Sequence, residues 1–505
     1  MDIKVEFGDI TQHAAKAIIV NLFEGVKEPG GATGAVDKAL DGAISNLIAE
    51  GEIKGKKGEA VLVHTLGRLT SPRVIVAGLG KQDAFESEQA LSVIRNLMGT
   101  AVRRARGAGA TTVATILHGA GIGGLDAEAC GQAIAEGAVL GAYRFRRYKY
   151  NGNDDSVKEI ETLHIVESDE SKLDAIRKGV EHGIIMATAA NHTRDLANEP
   201  ANALPPAEMA ARAQALMKDA GIDFEVFDEK KIQELGMGAL MGVGVGSSNP
   251  PRFIIMRYKG DPGSDKTLGL LGKGITFDTG GISIKPAAGM EAMKGDMSGG
   301  AAVIGTMWAL GKLKPKINVT GVVPSAENMP SGTATRPGDV VKAMNGKSIE
   351  VINTDAEGRL ILADAICWAK EQKLSPLVHV ATLTGAMQIA LGPGATGFMS
   401  SDDGLAEAIS AAGKASGELL WRFPLIDDYA ESLKSNVADI KNTGNRFGGA
   451  ISAAKFLHFF VEDTPWAHID MAGTDDSDKE KGIFVKGSTG TPTRSLVNLV
   501  LGMAG

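Results

Sequence analysis

The sequence predicts a two-domain α/β protein. A length of 505 residues exceeds one typical domain of about 100–200 residues. Short apolar runs rich in β-formers alternate with longer amphipathic stretches, the pattern of strands and helices in an α/β layer. A polar stretch from Tyr148 to Glu161, with an Asn-Gly pair and two adjacent aspartates, separates two such series and reads as a linker or sheet-edge loop.

In the first series, strands are expected at Ile3–Phe7, Ala17–Leu22, Ala60–His64, Arg73–Ala77, Thr112–Leu117 and Leu163–Val166. Helical patterns lie between them at about 34–49, 86–106 and 125–146. Strand–helix–strand alternation favours a mostly parallel sheet. In the second series a long helix over about 171–197 stops at Asn198-Glu199-Pro200, since the residue before proline is pushed out of helical geometry. Helix 206–219, strands 223–227, 253–258 and 268–276, helix 298–312, and strands 318–324 and 349–353 follow. Helix 359–372, strand 377–383, helix 449–462, strand 466–471 and helix 491–502 close the chain. The expected domains are 1–165 and 166–505.

With 53 basic and 61 acidic side chains the net charge is −8, which disfavours nucleic-acid binding through the general surface. Two distant cysteines, Cys130 and Cys367, offer no disulfide framework. The first residues lack the pattern of a signal peptide, so a cytoplasmic location is expected. Ser375–Ser401 carries no Asp, Glu, Lys or Arg, but its glycines and Pro393 break a spanning helix. A buried strand followed by a glycine-rich loop is expected there.

Three segments concentrate chemistry. Lys273-Gly-Ile-Thr-Phe-Asp278-Thr-Gly-Gly-Ile-Ser-Ile-Lys285 follows the apolar run Leu268–Leu271, placing two lysines and an aspartate at the carboxyl end of a strand, where open α/β sheets bind ligands. Met293-Lys-Gly-Asp296-Met-Ser-Gly-Gly300 leads into an apolar helix. Asn353-Thr-Asp355-Ala-Glu357-Gly-Arg359-Leu360 precedes another. Singly, each has a plain structural reading: Asp296 could cap its helix, and Thr354 with Glu357 fits a capping box. Together they suggest that strand ends bring Asp278, Asp296, Asp355 and Glu357 into one crevice. Four converging carboxylates repel unless divalent cations neutralise them.

These strings resemble the leucyl aminopeptidase family of cytosolic metallopeptidases, for which Asn353–Leu360 is a specific signature. The resemblance runs from Asn191 to the C-terminus and takes in Ala381–Ala386 and His468–Gly473; the first 150 residues match only in α/β pattern. It implies a variable N-terminal domain with an oligomerisation or regulatory role. It implies a larger catalytic domain with a central mixed sheet flanked by helices. It also implies two divalent metal ions per subunit, zinc or manganese with cobalt or magnesium as alternatives. Asp278 and Glu357 would bridge them, Lys273 (as a neutral amine) and Asp296 would complete one site, and Asp355 the other. Lys285 would stabilise the tetrahedral oxyanion. Arg359 would hold a bicarbonate acting as general base. Met293, Thr382 and Ala472 are the pocket candidates for a leucine side chain. The implied substrates are peptides with a free N-terminus, and the implied assembly is a homohexamer.

Competing chemistries lack their signatures. No HExxH and no GxSxG elbow occurs, and Cys367 lies within an apolar helical pattern. His379 reads as a hydrogen-bonded core residue rather than a ligand. Gly236–Gly246 and Gly119–Gly124 are glycine-rich without dinucleotide-loop spacing. Tyr143-Arg-Phe-Arg-Arg-Tyr-Lys-Tyr150 interleaves cations with aromatics in the manner of single-strand binders. Its expected role is instead a helix C-terminus favoured by positive charge.

Overall fold

The computed structural model describes residues 1–85, 89–121, 124–149 and 158–505. The start of the helix expected at 86, most of the linker expected over 148–161, and Tyr150 of the cationic–aromatic run lie outside the described residues. The chain forms two compact units, Met1–Thr188 with Asp478–Lys486, and Ala189–Ser477 with Gly487–Gly505. The first unit extends beyond residue 165, to Thr188 within the helix Leu173–Asn198.

Among the described residues the first unit holds a six-stranded sheet, in the order Asp2–Phe7, Thr162–Glu167, Thr112–Ile116, Ala17–Phe23, Arg73–Gly80, Ala60–His64. The first five strands are parallel and the last is antiparallel. Ala17–Phe23 (AIIVNLF) is apolar on both faces because helices cover both. Helices Ala90–Gly107 and Ala127–Ala142 pack one face through Ile94, Leu97, Met98 and Ile134. The other face meets Gly31–Ala39 and Ala43–Ala49 through Val36, Leu40 and Ile44. A single helix over 34–49 was the expectation; the chain instead breaks at Asp41 and Gly42, both at positive φ. Asp37 Oδ1 then accepts from the amides of Ile44 (2.7 Å) and Ser45 (3.1 Å), capping the second helix.

The second unit is built on a nine-stranded mixed sheet. Its path runs Leu420–Arg422, Thr396–Ser400, Trp466–Asp470, Leu377–Ala381, Thr267–Gly272, Asn318–Asn328, Arg252–Lys259, Asp223–Phe227. The central strands from Trp466–Asp470 to Asn318–Asn328 are parallel, with antiparallel strands outside them. The expected strand 268–276 is two strands, Thr267–Gly272 and Gly274–Asp278, both paired to Asn318–Asn328 and interrupted at Lys273. Helix Gly358–Glu371, with Gly449–Val461 and Gly238–Gly244, packs one face around Leu271, Val322 and Phe253. Helix Ser298–Leu313 packs the other face with Pro206–Ala220 and Thr493–Met503.

Several expectations change here. Of the expected strand 349–353 only Ile349 and Glu350 are extended, within the strand Ser348–Glu350 of a small sheet with Val340–Lys342 and Ile440–Lys441, off the main one. Ser375–Ser401 contains a helix, Gly385–Leu391, and a second strand, Thr396–Ser400, where a loop was expected. The helix is started by Thr384, whose Oγ1 accepts from Met387 N (3.1 Å). No helix among the described residues is long and apolar enough to cross a membrane.

Candidate metal centre

The carboxyl edge of the parallel strands carries the site. Lys273 sits at the break between two strands, held by its amide on Val380 O (3.0 Å) and its carbonyl on Gly300 N (2.7 Å). Its stem crosses the start of helix Gly358–Glu371 so closely that a Cβ at Gly358 would lie 2.7 Å from Lys273 Nζ and its two neighbouring carbons, so a side chain there would displace the lysine. Asp278 ends its strand. There Gly280 N (2.8 Å) and Asn328 Nδ2 (2.7 Å) both donate to Oδ1, fixing the carboxylate.

Asp296 and the Asp355–Glu357 pair reach the same place by loops, not strand ends as expected. Asp296 follows the 3-10 turn Met290–Gly295, and Met297, not Asp296, is the N-cap of the next helix. Asp296 Oδ1 instead accepts from Thr382 Oγ1 (2.7 Å). Nor do Thr354 and Glu357 form a capping box. Thr354 Oγ1 donates to Gly280 O (2.6 Å), and Glu357 makes no side-chain cap bond. With local capping ruled out, these carboxylates are left to face one another.

They do so at close range. Carboxylate oxygens of Asp278, Asp355 and Glu357 lie within 4.8 Å of one another. Lys273 Nζ stands 2.7 Å from Glu357 Oε1 and 2.9 Å from Asp296 Oδ2. Lys285 Nζ stands 2.7 Å from Asp278 Oδ2 and 2.5 Å from Asp355 Oδ1. Four carboxylates against two ammonium groups leave net negative charge in a largely buried place. Burial, with repulsion from Glu357 and Asp278, pushes the Asp296 carboxyl well up despite Lys273. Burial and Asp278 likewise raise Glu357 and Asp355. Glu357 Oε2 is buried without a protein hydrogen-bond partner. Such a set of oxygens fits divalent cations.

Lys273 is the subtle member. Burial pulls its pKa down, yet Asp296, Glu357 and Asp278 together outweigh burial and keep it protonated among protein charges alone. A dication drawn to the same carboxylates would cancel that support, the condition under which the amine can serve as a ligand. Arg359 is buried, with Nη1 donating to Asn442 O (2.8 Å) and Nε without a partner; burial lowers its pKa to about 10.

The two halves of this chain match two family models. The catalytic domain of the cytosol aminopeptidase family covers residues 191–497, and the N-terminal domain of the same family covers residues 19–151. The chain belongs to the cytosol aminopeptidase family. It is therefore a metal-dependent aminopeptidase, a hydrolase. The N-terminal match reaches residues for which the sequence alone offered only an α/β pattern.

The aminopeptidase is 46% identical over 99% of its length to a probable cytosol aminopeptidase of Solibacter usitatus, covering 99% of that protein. It is 42% identical, over the whole of both chains, to one of Alkaliphilus metalliredigens. Among solved structures, a tomato leucine aminopeptidase variant aligns with TM-score 0.87 and 34% identity, covering 99% of this chain and 96% of that one. The bottromycin maturation enzyme BotP in complex with Mn aligns with TM-score 0.84 and 34% identity, covering 97% of this chain and all of that one.

The structure thus brings Lys273, Asp278, Lys285, Asp296, Asp355 and Glu357 of the aminopeptidase together. Of the pocket candidates, Thr382 hydrogen-bonds Asp296, so its hydroxyl serves the carboxylate. Ala472 N donates to Asp470 Oδ1 (3.3 Å), and Met293 lies half-buried three residues before Asp296. Sequence reasoning missed Asn328 and Asn442. Asn328 ends a fully buried strand in a polar Glu-Asn pair, a signal at a strand's carboxyl end. Asn442, whose Nδ2 donates to Asn353 O (2.7 Å) and whose carbonyl receives Arg359, stands in a polar turn-like stretch that gives no such signal.

His379 departs from expectation. It is buried, but neither ring nitrogen has a protein hydrogen-bond partner; it packs instead against Trp466 at 5.4 Å between ring centres. Burial lowers its pKa to about 3, so it stays neutral. Cys367 is buried and its thiol is pushed up to about 12, which makes it a poor nucleophile. Gly236–Gly246 is largely occupied by the helix Gly238–Gly244, leaving no phosphate loop there. In the cationic–aromatic run, Arg144 and Arg146 lie 3.1 and 3.9 Å from Glu159.

Proposed function

We propose that this aminopeptidase releases N-terminal residues, preferably leucine, from peptides at a two-metal centre held by Lys273, Asp278, Asp296, Asp355 and Glu357. The observation that carries this reading is the convergence of Asp278, Asp355 and Glu357 within 4.8 Å beside a buried Glu357 oxygen that no protein group satisfies. Two divalent ions bound there, zinc or manganese, would supply the Lewis acidity that activates water near neutral pH and polarises a peptide carbonyl.

The chain's own groups then divide the remaining work. Asn328 and Gly280 hold Asp278 in one orientation, and Thr382 does the same for Asp296. Lys285, already drawn in by Asp278 and Asp355, carries the charge that faces the developing oxyanion. Arg359 presents a buried, unpartnered Nε suited to a small planar anion such as bicarbonate, which would take the proton from the attacking water. The substrate's free α-amine would be recognised at the carboxylate-rich end, restricting cleavage to the first residue. Met293 and Ala472 would line the leucine pocket, with Thr382 at its edge. We further propose a cytoplasmic homohexamer, residues 1–165 serving assembly or regulation and 166–505 catalysis.

Hydrolysis of a leucyl anilide, measured with and without chelator and with Asp355→Ala, tests the reading. Loss of activity in both cases is expected. Activity that survives both treatments would end it.

A further inference from the structure

Two histidines of the first unit, His13 and His164, meet on one carboxylate at the edge of its sheet. Asp2–Phe7 is the edge strand, and Thr162–Glu167 is its neighbour. Alternation along these strands turns Ile3, Val5, Leu163 and Ile165 toward helices Ala90–Gly107 and Ala127–Ala142. Glu6 and His164 therefore stand on the opposite face. The parallel register pairs Lys4 with His164 and Glu6 with Val166, so Glu6 is one diagonal step from His164.

His13 arrives on the loop that follows the edge strand. Buried Ile10 and Ala15, on either side of it, dock that loop into the same apolar layer as Val166. Two further bonds fix its backbone. Asp9 Oδ1 accepts from Thr11 N (2.8 Å), and Ser71 Oγ donates to His13 O (3.2 Å). Three separately anchored segments thus deliver Glu6, His13 and His164 to one place.

The geometry is that of a ligand set. His13 Nε2 lies 2.9 Å from Glu6 Oε2, and His164 Nδ1 lies 2.9 Å from Glu6 Oε1. One nitrogen of each ring and one oxygen of the carboxylate all lie within 4.8 Å of one another. Around a tetrahedral zinc ion, with bonds of about 2.0–2.1 Å, ligand atoms stand about 3.3 Å apart, so small side-chain rotations seat the ion. No lysine or arginine among the described residues forms an ion pair with Glu6; Lys4, on the same face, lies 3.9 Å from Asp2 instead. His13 Nδ1 is buried without a protein partner, so only Glu6 holds a proton on Nε2, and a cation can replace it. The two histidine side chains are 17% exposed and that of Glu6 40%, which leaves an outer position for water.

We propose that Glu6, His13 and His164 bind a zinc ion, at a site in the first unit that shares no residue with the carboxylate centre. Two imidazoles and one carboxylate are a donor set that zinc takes readily, whereas manganese and magnesium favour oxygen ligands. The site is therefore selective where the carboxylate centre is permissive. The bound ion clamps the edge strand and its following loop to Thr162–Glu167. Because the three ligands come together only in the folded chain, zinc binding stabilises that part of the sheet.

Calorimetric titration of the full chelator-stripped chain with Zn²⁺, and separately with Mn²⁺, tests this in the wild type and in His13→Gln, His164→Gln and Glu6→Gln. All three positions are half-buried, and Glu6→Gln keeps the side chain's size, so leucyl anilide hydrolysis with Mn²⁺ should be intact in every variant. The expected result is one more equivalent of Zn²⁺ per wild-type chain than per variant chain, whatever number the carboxylate centre takes. Mn²⁺ equivalents should be the same in all four proteins. Equal Zn²⁺ equivalents in the wild type and the variants would overturn the proposal, leaving Glu6 as an acceptor of two ring N–H bonds. Loss of Zn²⁺ and Mn²⁺ equivalents together would also overturn it, because the site removed would then be neither local nor selective.

Discussion

Lys273 Nζ lies 2.7 Å from Glu357 Oε1, while the second oxygen of the same carboxylate is buried with no protein partner. One half of Glu357 is neutralised and the other is open to a cation. Glu357→Gln keeps the shape and removes the charge. Hydrolysis should fall by at least about 100-fold, and metal measured by atomic spectroscopy after dialysis should fall with it. Full metal content with full activity would show that this carboxylate is merely structural.

Thr382 donates to Asp296 Oδ1 at 2.7 Å. Groups that orient a metal-binding side chain commonly change metal affinity by about 10–100-fold when removed. Thr382→Val should therefore weaken metal binding by that amount in a competition titration, while the ratio of leucyl to alanyl substrate rates changes little. A change confined to that ratio would make Thr382 a pocket wall instead.

Arg359 offers its unpartnered Nε beside Glu357. Adding bicarbonate should raise the rate of the wild-type enzyme, and Arg359→Ala should lose both that response and about 100-fold of activity. Arg359→Lys should not restore the response, because an ammonium lacks the planar fork that matches a carbonate edge. A bicarbonate response retained in Arg359→Ala would remove the anion from the account.

Asp364 ties the fold behind the site. Its carboxylate accepts from the amides of Leu240 (2.7 Å) and Met344 (2.8 Å) in a fully buried position. Burial, partly opposed by these amides, pushes its pKa up to about 7. A raised folded-state value means that Asp364 contributes stability fully present below its unfolded pKa of about 3.9, lost as pH rises through about 7. Asp364→Asn sets an amide N–H against a backbone N–H and should cost about 1–3 kcal/mol. It should also flatten the change in denaturation midpoint between acidic and neutral pH.

Much of this was legible in the sequence because the chemistry is dense and local. Asp278, Asp296, Asp355 and Glu357 stand in three short strings beside glycines, and carboxylates of that number, once brought together, repel unless cations neutralise them. The strand Ala17–Phe23 was equally plain, since both of its faces are apolar. What the sequence hid was how the strings arrive. Asp296 and Glu357 carry sound capping patterns, and only the fold shows that Thr354 is spent on Gly280 and that Met297 takes the cap. The split at Lys273 was invisible because Leu268–Ile275 is uninterrupted by any turn residue other than glycine. Asn442 lies more than 80 positions from Arg359, and local pattern cannot report contacts at that separation.

The proposed two-metal centre is built from acidic side chains distant in the chain. Titration of chelator-stripped protein with Mn²⁺, followed by calorimetry and leucyl anilide hydrolysis together, tests it most directly. Two equivalents should bind per chain, activity should return as they bind, and Asp355→Ala should bind fewer than two. Full activity before any metal is added, or identical stoichiometry in Asp355→Ala, would contradict it.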